Sequence, residues 1–438
     1  MVEKLTVKNF AGIDELEIEV KRINIVIGPQ ASGKSVCAKL LFYFKNFVWK
    51  ILDTVENEQS KRYLDSSYSQ TFQDYFPPDS WGEHDFYIKY EIYNVFIEIS
   101  RNKNTKSKSI INFNYSDFFK KELSELRKWL KKIKKESSDK STKFERIERF
   151  ERIERLFLTR EVLREQLTEF LRSSLCDEAA YTQLFIPAGR SFFANLQSSI
   201  FSLMSNHNAI DPFLIEFGST YETIKRLNVR IINQTENRKE KEINDEINRL
   251  IKKALCGEHI QEKGKDFVKM ADGRRISIAN SSSGQQETFP LTIILSALPF
   301  LVYARLAGQT VYIEEPEAHL FPSAQRNIIE LIACVFNYHR EKVQFFITTH
   351  SPYILIAINN LIQAGMLYEE SREDVLPKLE KIVPSYKALS TSDLSAYVLE
   401  NGKAKNILYN DTGLIDANVI DGVSDQLAIE FDELLNLA

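Results

Sequence analysis

The stretch Ile23-Asn24-Ile25-Val26-Ile27-Gly28-Pro29-Gln30-Ala31-Ser32-Gly33-Lys34-Ser35 decides the fold. A short apolar run enters the pattern G-x-x-x-x-G-K-S, and Val36-Cys37-Ala38-Lys39-Leu40-Leu41-Phe42 continues it with helical character. Strand, glycine-rich turn and helix in that order spell a phosphate-binding loop. Gly28 and Gly33 let the backbone curl through Pro29, Gln30, Ala31 and Ser32, so that N–H groups face phosphate oxygens. Lys34 supplies a point charge to the β- and γ-phosphates and Ser35 a hydroxyl for Mg²⁺. The helix that starts here adds its positive dipole end.

The rest of the chain bounds what such a site serves. Its 438 residues have room for two to three domain-sized units. With 43 % hydrophobic and 27 % charged residues the composition is that of an ordinary globular protein. A net charge of −4 gives no global basic field to advertise nucleic acid. Cys37, Cys176, Cys256 and Cys334 lie far apart and form no C-x-x-C pair, so reduced thiols in a cytoplasmic setting are expected. The N-terminus alternates like a strand and lacks the apolar block of a signal peptide. The most apolar stretch, Phe289 to Leu306, is interrupted by Thr292, Ser296, Pro299 and Arg305. It reads as a buried helix, and no membrane contact is expected.

In chain order, strands are expected at 2–9 and 15–20, a helix from Gly33 to Val55, and strands in Tyr87–Ile99 and Ser109–Tyr115 around a polar turn from Asn102. Residues 120–164 then carry 16 Lys/Arg against 9 Asp/Glu, without Pro or Gly, and repeat Phe-Glu-Arg-Ile-Glu-Arg at 144–149 and 150–155. This predicts a helical hairpin turning near Ser137-Ser138-Asp139. Its i,i+4 Glu–Arg pairs suit a solvated, partner-docking arm. Its surplus charge suits a nucleic-acid surface, with Lys131, Lys132, Lys134 and Lys135 as contacts. Further on, helices are expected at 192–206, 212–227, 237–255, 287–307 and 323–338. Hairpins are expected about Ala271-Asp272-Gly273, joining Ile260–Met270 to Arg274–Ala279, and about Asn401-Gly402.

Two later strands end in the chemistry a phosphate loop needs. Val311-Tyr312-Ile313 runs into Glu314 and Glu315: one carboxylate can reach Mg²⁺ through water, and the next can deprotonate an attacking water. Val343 to Thr349 runs into His350, whose imidazole can donate a hydrogen bond to a γ-phosphate oxygen.

Taken together, these segments resemble the ABC-type ATPase head of the SMC/RecF/OLD class, in its OLD-like branch. Gly28 to Ser35 match Walker A. Ser281-Ser282-Ser283-Gly284-Gln285 is similar to the ABC signature, Glu314-Glu315-Pro316 to Walker B plus the catalytic glutamate, and Thr349-His350-Ser351-Pro352 to the switch loop. The resemblance covers roughly residues 1–115 and 180–410. It departs at Glu314, where Asp is usual, and at Ser281 and Ser283, where Leu and Gly are usual. Gln183, where lobe I meets lobe II, is the candidate for the nucleotide-contacting glutamine of the Q-loop.

What the resemblance implies is an α/β P-loop NTPase head, a mixed sheet with flanking helices, carrying a helical-hairpin insertion. The expected division is 1–115 for lobe I, 116–180 for the insertion and 181–438 for lobe II. ATP and Mg²⁺ would be bound by Gly28 to Ser35 and Glu314, and hydrolysed with Lys34, Glu315 and His350. Ser282, Ser283, Gly284 and Gln285 would complete the site of another copy in a homodimer or higher homo-oligomer. Full OLD proteins add a nuclease domain built on clustered acids, which the 88 residues after His350 do not spell. The expected role is therefore control of a separate effector, a nuclease or toxin, in anti-phage defence. The alternative is a DNA-associated ATPase of RecF or SMC type.

Overall fold

The computed structural model describes residues 3–101, 111–138, 148–195, 210–231, 238–262, 264–303, 308–370, 372–420 and 422–435. The polar turn expected from Asn102 and most of the helix expected at 192–206 lie outside them; of the hairpin turn expected near Ser137-Ser138-Asp139, Ser137 and Ser138 are still helical and Asp139 lies outside. The described chain gathers into two compact units. Unit 1 holds residues 1–20, 39–183 and 305–310; unit 2 holds 21–38, 184–304 and 311–438. These cut the chain differently from a division at 115 and 180. The arm belongs to unit 1, and the phosphate loop belongs to unit 2.

In unit 1, β1 (Glu3–Phe10) and β2 (Ile13–Val20) form an antiparallel pair, and β4 (Phe86–Ile92), β5 (Val95–Arg101) and β6 (Asn112–Tyr115) extend it in the order β6-β5-β4-β1-β2. Alternation puts Leu5, Val7, Leu16, Ile18, Ile88 and Ile97 inside, as period-2 patterning requires. The helix expected over 33–55 is realised as α1 (Lys34–Lys45) and α2 (Phe47–Glu56). The break is slight, since Asn46 still donates to Phe42 and accepts from Lys50. With α3 (Lys61–Tyr75), these helices bury an aromatic core. In it the Tyr43 and Tyr68 rings stack at 4.2 Å and each hydroxyl donates to the other's carbonyl. The arm rises from α4 (Asp117–Ser138) and α5 (Glu148–Ser174). Phe119, Leu123, Leu126 and Leu130 on α4, and Leu163, Leu167 and Leu171 on α5, are buried at helical spacing.

The strands of unit 2 run in the order β14-β13-β3-β12-β11-β7, from β3 (Ile23–Ile27), β7 (Thr182–Ile186, in this unit from Leu184), β11 (Gln309–Glu314, in this unit from Val311), β12 (Val343–Thr349), β13 (Leu394–Glu400) and β14 (Lys403–Asn406). β3 is parallel to both β12 and β13 and wholly buried, which is why it reads as an unbroken apolar run. Its partners lie more than 300 residues away in sequence, and this pairing is what carries the phosphate loop into unit 2.

Helices α6 (Phe192–Asn195), α7 (Pro212–Ile231), α8 (Arg238–Ala254), α9 (Ser283–Tyr303), α10 (Pro322–Tyr338), α11 (Pro352–Glu369), α12 (Leu376–Ile382) and α13 (Gly422–Leu435) complete the unit. Two expectations are corrected. The strand expected at Ile260–Met270 is two strands, β8 (Glu258–Glu262) and β9 (Lys265–Lys269). Gly264 in the left-handed region (φ +76°) reverses the chain between them, and β10 (Arg275–Ser277) makes the sheet three-stranded. The helix expected from 287 begins at Ser283, so the signature-like residues form its first turn. Among the described residues, no helix is long and apolar enough to cross a membrane. All four cysteines are free; Cys37, Cys176 and Cys334 are buried and Cys256 is exposed.

Candidate nucleotide site

Strand register assembles the site. Ile27 pairs with Thr349 of β12 and with Val398 of β13, so the loop after β3 leaves the sheet beside His350. The Glu315 N–H donates to the Thr348 carbonyl at 2.9 Å, which brings the end of β11 to the same edge. Every residue of this cluster lies in unit 2.

Within the loop, Gly28 has a specific reason to be glycine: a Cβ there would stand 2.2 Å from the Leu399 carbonyl oxygen. Gly33 occupies the left-handed region at φ +97°, and Ala31 does so at +59°. Pro29, Gln30, Ala31 and Ser35 are exposed, whereas Lys34 is buried. The Lys34 ammonium donates to the carbonyls of Gly28 (2.8 Å) and Pro29 (2.6 Å). Burial lowers its pKa, against the raising influence of the Glu315 and Glu317 carboxylates.

His350 bridges the cation and the acid. Its Nδ1 is 3.3 Å from Lys34 Nζ and its Nε2 is 2.9 Å from Glu315 Oε1. An ammonium can only donate, so Nδ1 accepts and Nε2–H donates to Glu315. The contacts therefore place the imidazole proton on Nε2, since a proton on Nδ1 would face the lysine charge. Glu315 itself sits at φ +43°, a conformation that costs a non-glycine residue of order 1–3 kcal/mol and persists only where neighbours hold it.

Arg190 holds it. The sequence offered Ile186-Pro187-Ala188-Gly189-Arg190 only as a strand ending in a turn, yet Arg190 is 0 % exposed. Its guanidinium donates to the carbonyls of Glu314 (2.8 Å), Glu315 (3.0 Å), Pro187 (3.1 Å) and Glu287 (2.9 Å). The Glu287 carboxylate lies 3.7 Å away as its counter-charge. Burial lowers the Arg190 pKa and Glu287 opposes that most strongly. One fork thus clamps the backbone of both acids, a use that lysine could not reproduce. Glu314 is buried, with Oε2 accepting the Ala188 N–H at 3.2 Å.

Glu317 was also passed over. Its Oε1 accepts from the Thr349 hydroxyl (2.7 Å) and the His350 N–H (2.6 Å), and burial raises its pKa. The signal available in sequence was the repeated acid in Glu314-Glu315-Pro316-Glu317, whose spacing alone gives no direction of reach.

The remaining expected site residues fall elsewhere. Ser282 and Ser283 are exposed at the start of α9, where Gln285 Oε1 accepts from Ser282 at 3.2 Å and its Nε2 donates to the Leu255 carbonyl at 2.8 Å. Gly284 packs so closely that a Cβ would meet the His319 carbonyl at 2.6 Å. No hydrogen bond among the described residues joins these residues to Lys34, Glu315 or His350. Gln183 donates to the Tyr181 carbonyl near the start of β7, whereas the segment that meets Glu314 follows the end of that strand. Lys131 and Lys132 are exposed on α4; the side chains of Lys134 and Lys135 lie outside the described residues.

Among the described residues, no group of three or more His, Cys, Asp or Glu side chains is arranged to hold a metal by itself. A Mg²⁺ that travels with a nucleotide needs only one or two protein oxygens, phosphates and water. An exposed hydroxyl at Ser35, directly after the buried ammonium, and a carboxylate at the end of β11 fit that donor set.

A glycine-bounded loop with a buried lysine, an acid pair and a histidine at adjacent strand ends defines a P-loop nucleotide-binding protein. Residues 1–355 match the family model described as AAA ATPase domain, and the chain belongs to that family. No curated protein matches the sequence. Among solved structures, the chain is similar to an Smc head bound to the C-terminal winged-helix domain of ScpA, at 13 % identity and a TM-score of 0.39, covering 93 % of this chain and 96 % of that one. The SMC head domain from Thermotoga maritima matches at 12 % identity and TM-score 0.35, covering 93 % and 98 %. The recombination mediator RecF with ATP matches at 12 % identity and 0.34, covering 93 % and 99 %.

Proposed function

We propose that this chain is a Mg²⁺-dependent ATP hydrolase of the ABC type, an OLD-like member of the SMC/RecF/OLD class acting as a homodimer or higher homo-oligomer. The observation that carries the reading is the line of contacts from Lys34 through His350 to Glu315 at the mouth of the phosphate loop. Lys34 exchanges its loop carbonyl partners for the oxygens of the β- and γ-phosphates. Glu315, oriented by the Nε2–H of His350, takes a proton from the attacking water on its other oxygen. The hydroxide adds to the γ-phosphorus as the bridging oxygen leaves with ADP. Mg²⁺, held by Ser35 and through water by Glu314, would neutralise charge on the phosphates. The exposed Ser282 and Ser283 at the N-terminus of α9 suit contacts to the nucleotide of a second copy.

Glu315→Gln should lower ATP turnover about 100-fold or more while nucleotide binding persists. It should also trap an ATP-bound dimer visible by light scattering. Unchanged turnover in that variant would sink the assignment.

On this reading hydrolysis takes place in the cytoplasm and controls a separate effector, a nuclease or toxin, in anti-phage defence. Co-purification of the native complex tests this, and an effector-type partner held in an ATP-dependent way supports it. The exposed Lys131 and Lys132 favour a second reading, a DNA-associated ATPase of RecF or SMC type. Its mark would be steeply salt-dependent DNA binding, lost when Lys131, Lys132, Lys134 and Lys135 are neutralised.

A further inference from the structure

The geometry points to Glu317 as the positioning residue of this site: one carboxylate oxygen fixes the backbone of the β12 tip so that the His350 imidazole spans Lys34 and Glu315. The inference rests on the ATPase reading for its catalytic consequence, but its structural half stands without it.

Glu317 lies on the turn that follows Glu315. The Ala318 N–H donates to the Glu315 carbonyl at 3.0 Å and the Leu320 N–H to the Glu317 carbonyl at 2.9 Å. This turn aims the Glu317 side chain at the end of β12, where Oε1 accepts both the His350 N–H and the Thr349 hydroxyl. Bonds to a carboxylate are about twice as strong as neutral ones. These two bonds tie the acid loop to the tip of β12 that carries His350.

The contact continues through a buried polar chain. Thr349 Oγ1 accepts the Ser351 N–H at 3.0 Å, the Ser351 hydroxyl donates to Gln325 Oε1 at 2.6 Å, and Gln325 Nε2 donates to the Leu320 carbonyl at 2.9 Å. Thr349, Ser351 and Gln325 are all buried. The chain therefore starts on the acid loop, crosses the tip of β12 and the first turns of α10 and α11, and returns to the acid loop. Such closed networks fix geometry better than any of their bonds alone. Glu317 Oε2 is buried and makes no hydrogen bond among the described residues. A carboxylate kept in that setting serves its Oε1 contacts, because a surface role would leave Oε2 to water. Glu317 also acts through space on Lys34 and Arg190, raising the pKa of each against burial.

The test compares Glu317→Ala, which removes the acceptor, with Glu317→Gln, which keeps an oxygen at Oε1 without the charge. In nucleotide-free protein labelled with ¹⁵N-histidine, the His350 ring signals, assigned through His350→Asn, should show Nε2 protonated and Nδ1 bare. Glu317→Ala should average the two nitrogens and Glu317→Gln should leave them distinct. In ATP turnover, Glu317→Ala should lower kcat about 10- to 100-fold, the order seen when a group that orients a functional side chain is lost, with KM within about 3-fold. Glu317→Gln should restore kcat to within about 3-fold of the unmodified protein. Unmoved ring signals in Glu317→Ala, or equal damage from both variants, overturn the proposal. Should Glu317→Ala fail to fold, Thr349→Val removes one donor and leaves the carboxylate, and must shift the same ring signals in the same direction. Absence of turnover in the unmodified protein would remove the ATPase reading, and the ring signals would still decide the positioning.

Discussion

Glu122 on α4 offers a prediction that can be worked through numerically. It is 3 % exposed, Oε2 has no hydrogen-bond partner among the described residues, and burial pushes its pKa from 4.5 to about 7. The folded protein therefore keeps a proton on Glu122 across a pH range in which the unfolded chain has released it. As pH rises from about 4.5 to 7 the unfolded state binds fewer protons and stability falls; above about 7 the loss is complete. A gap of about 2.5 pH units at ~1.4 kcal/mol each makes the full loss about 3.5 kcal/mol. Glu122→Gln carries no titrating group, so it should be more stable than the parent by about 3.5 kcal/mol at pH 8 and by less than about 1 kcal/mol at pH 5. Trp49, Trp81 and Trp129, the three tryptophans of the chain, all lie in unit 1 with Glu122, so urea unfolding followed by tryptophan fluorescence reports on that unit. A gain that is equal at the two pH values, or no gain at pH 8, would refute the assignment of a buried, uncompensated carboxyl at the root of the arm.

Other consequences follow from close approaches and buried charge in unit 2. Gly28→Ala should lose about 1–3 kcal/mol or more and weaken binding of an ATP analogue, because β13 must retreat from a Cβ placed 2.2 Å from the Leu399 oxygen. Thermal melting with and without the analogue checks both halves. Arg190→Met strands the Glu287 carboxylate and should cost about 3–5 kcal/mol. Adding Glu287→Gln should recover part of that loss, while turnover stays low because the Glu314 and Glu315 carbonyls are no longer clamped; a double variant with full turnover contradicts the clamp.

Much of the fold was legible because its signals are local. Alternation in Glu15 to Val20, the β-branched runs before Glu314 and His350, and the Asn401-Gly402 turn state their own geometry to within a residue or two. The errors also have local causes. Nothing in Ile260 to Met270 requires one strand rather than two, since the reversal depends on a single glycine taking a positive φ at Gly264. The apolar character that begins near Phe289 hid four helical residues, Ser283 to Gln286, whose polar side chains lie at the helix start. The grouping of the chain into two units has no local signal. β3 joins unit 2 through partners on β12 and β13, and no periodicity in Ile23 to Ile27 names those partners.

A phosphate loop, an acid pair and a histidine at three strand ends can be read from the residues alone, because strand, turn and residue type are written within a dozen residues of one another. How those ends meet is a matter of tertiary packing. Parallel pairing of β3 with β12 set His350 between Lys34 and Glu315 and thereby fixed its tautomer. It also recruited Arg190 and Glu317, which no motif singles out, because a buried fork reaching four carbonyls and a carboxylate reaching across a strand tip are contacts between distant segments. Side-chain chemistry was readable in advance. Its direction of reach was set by packing.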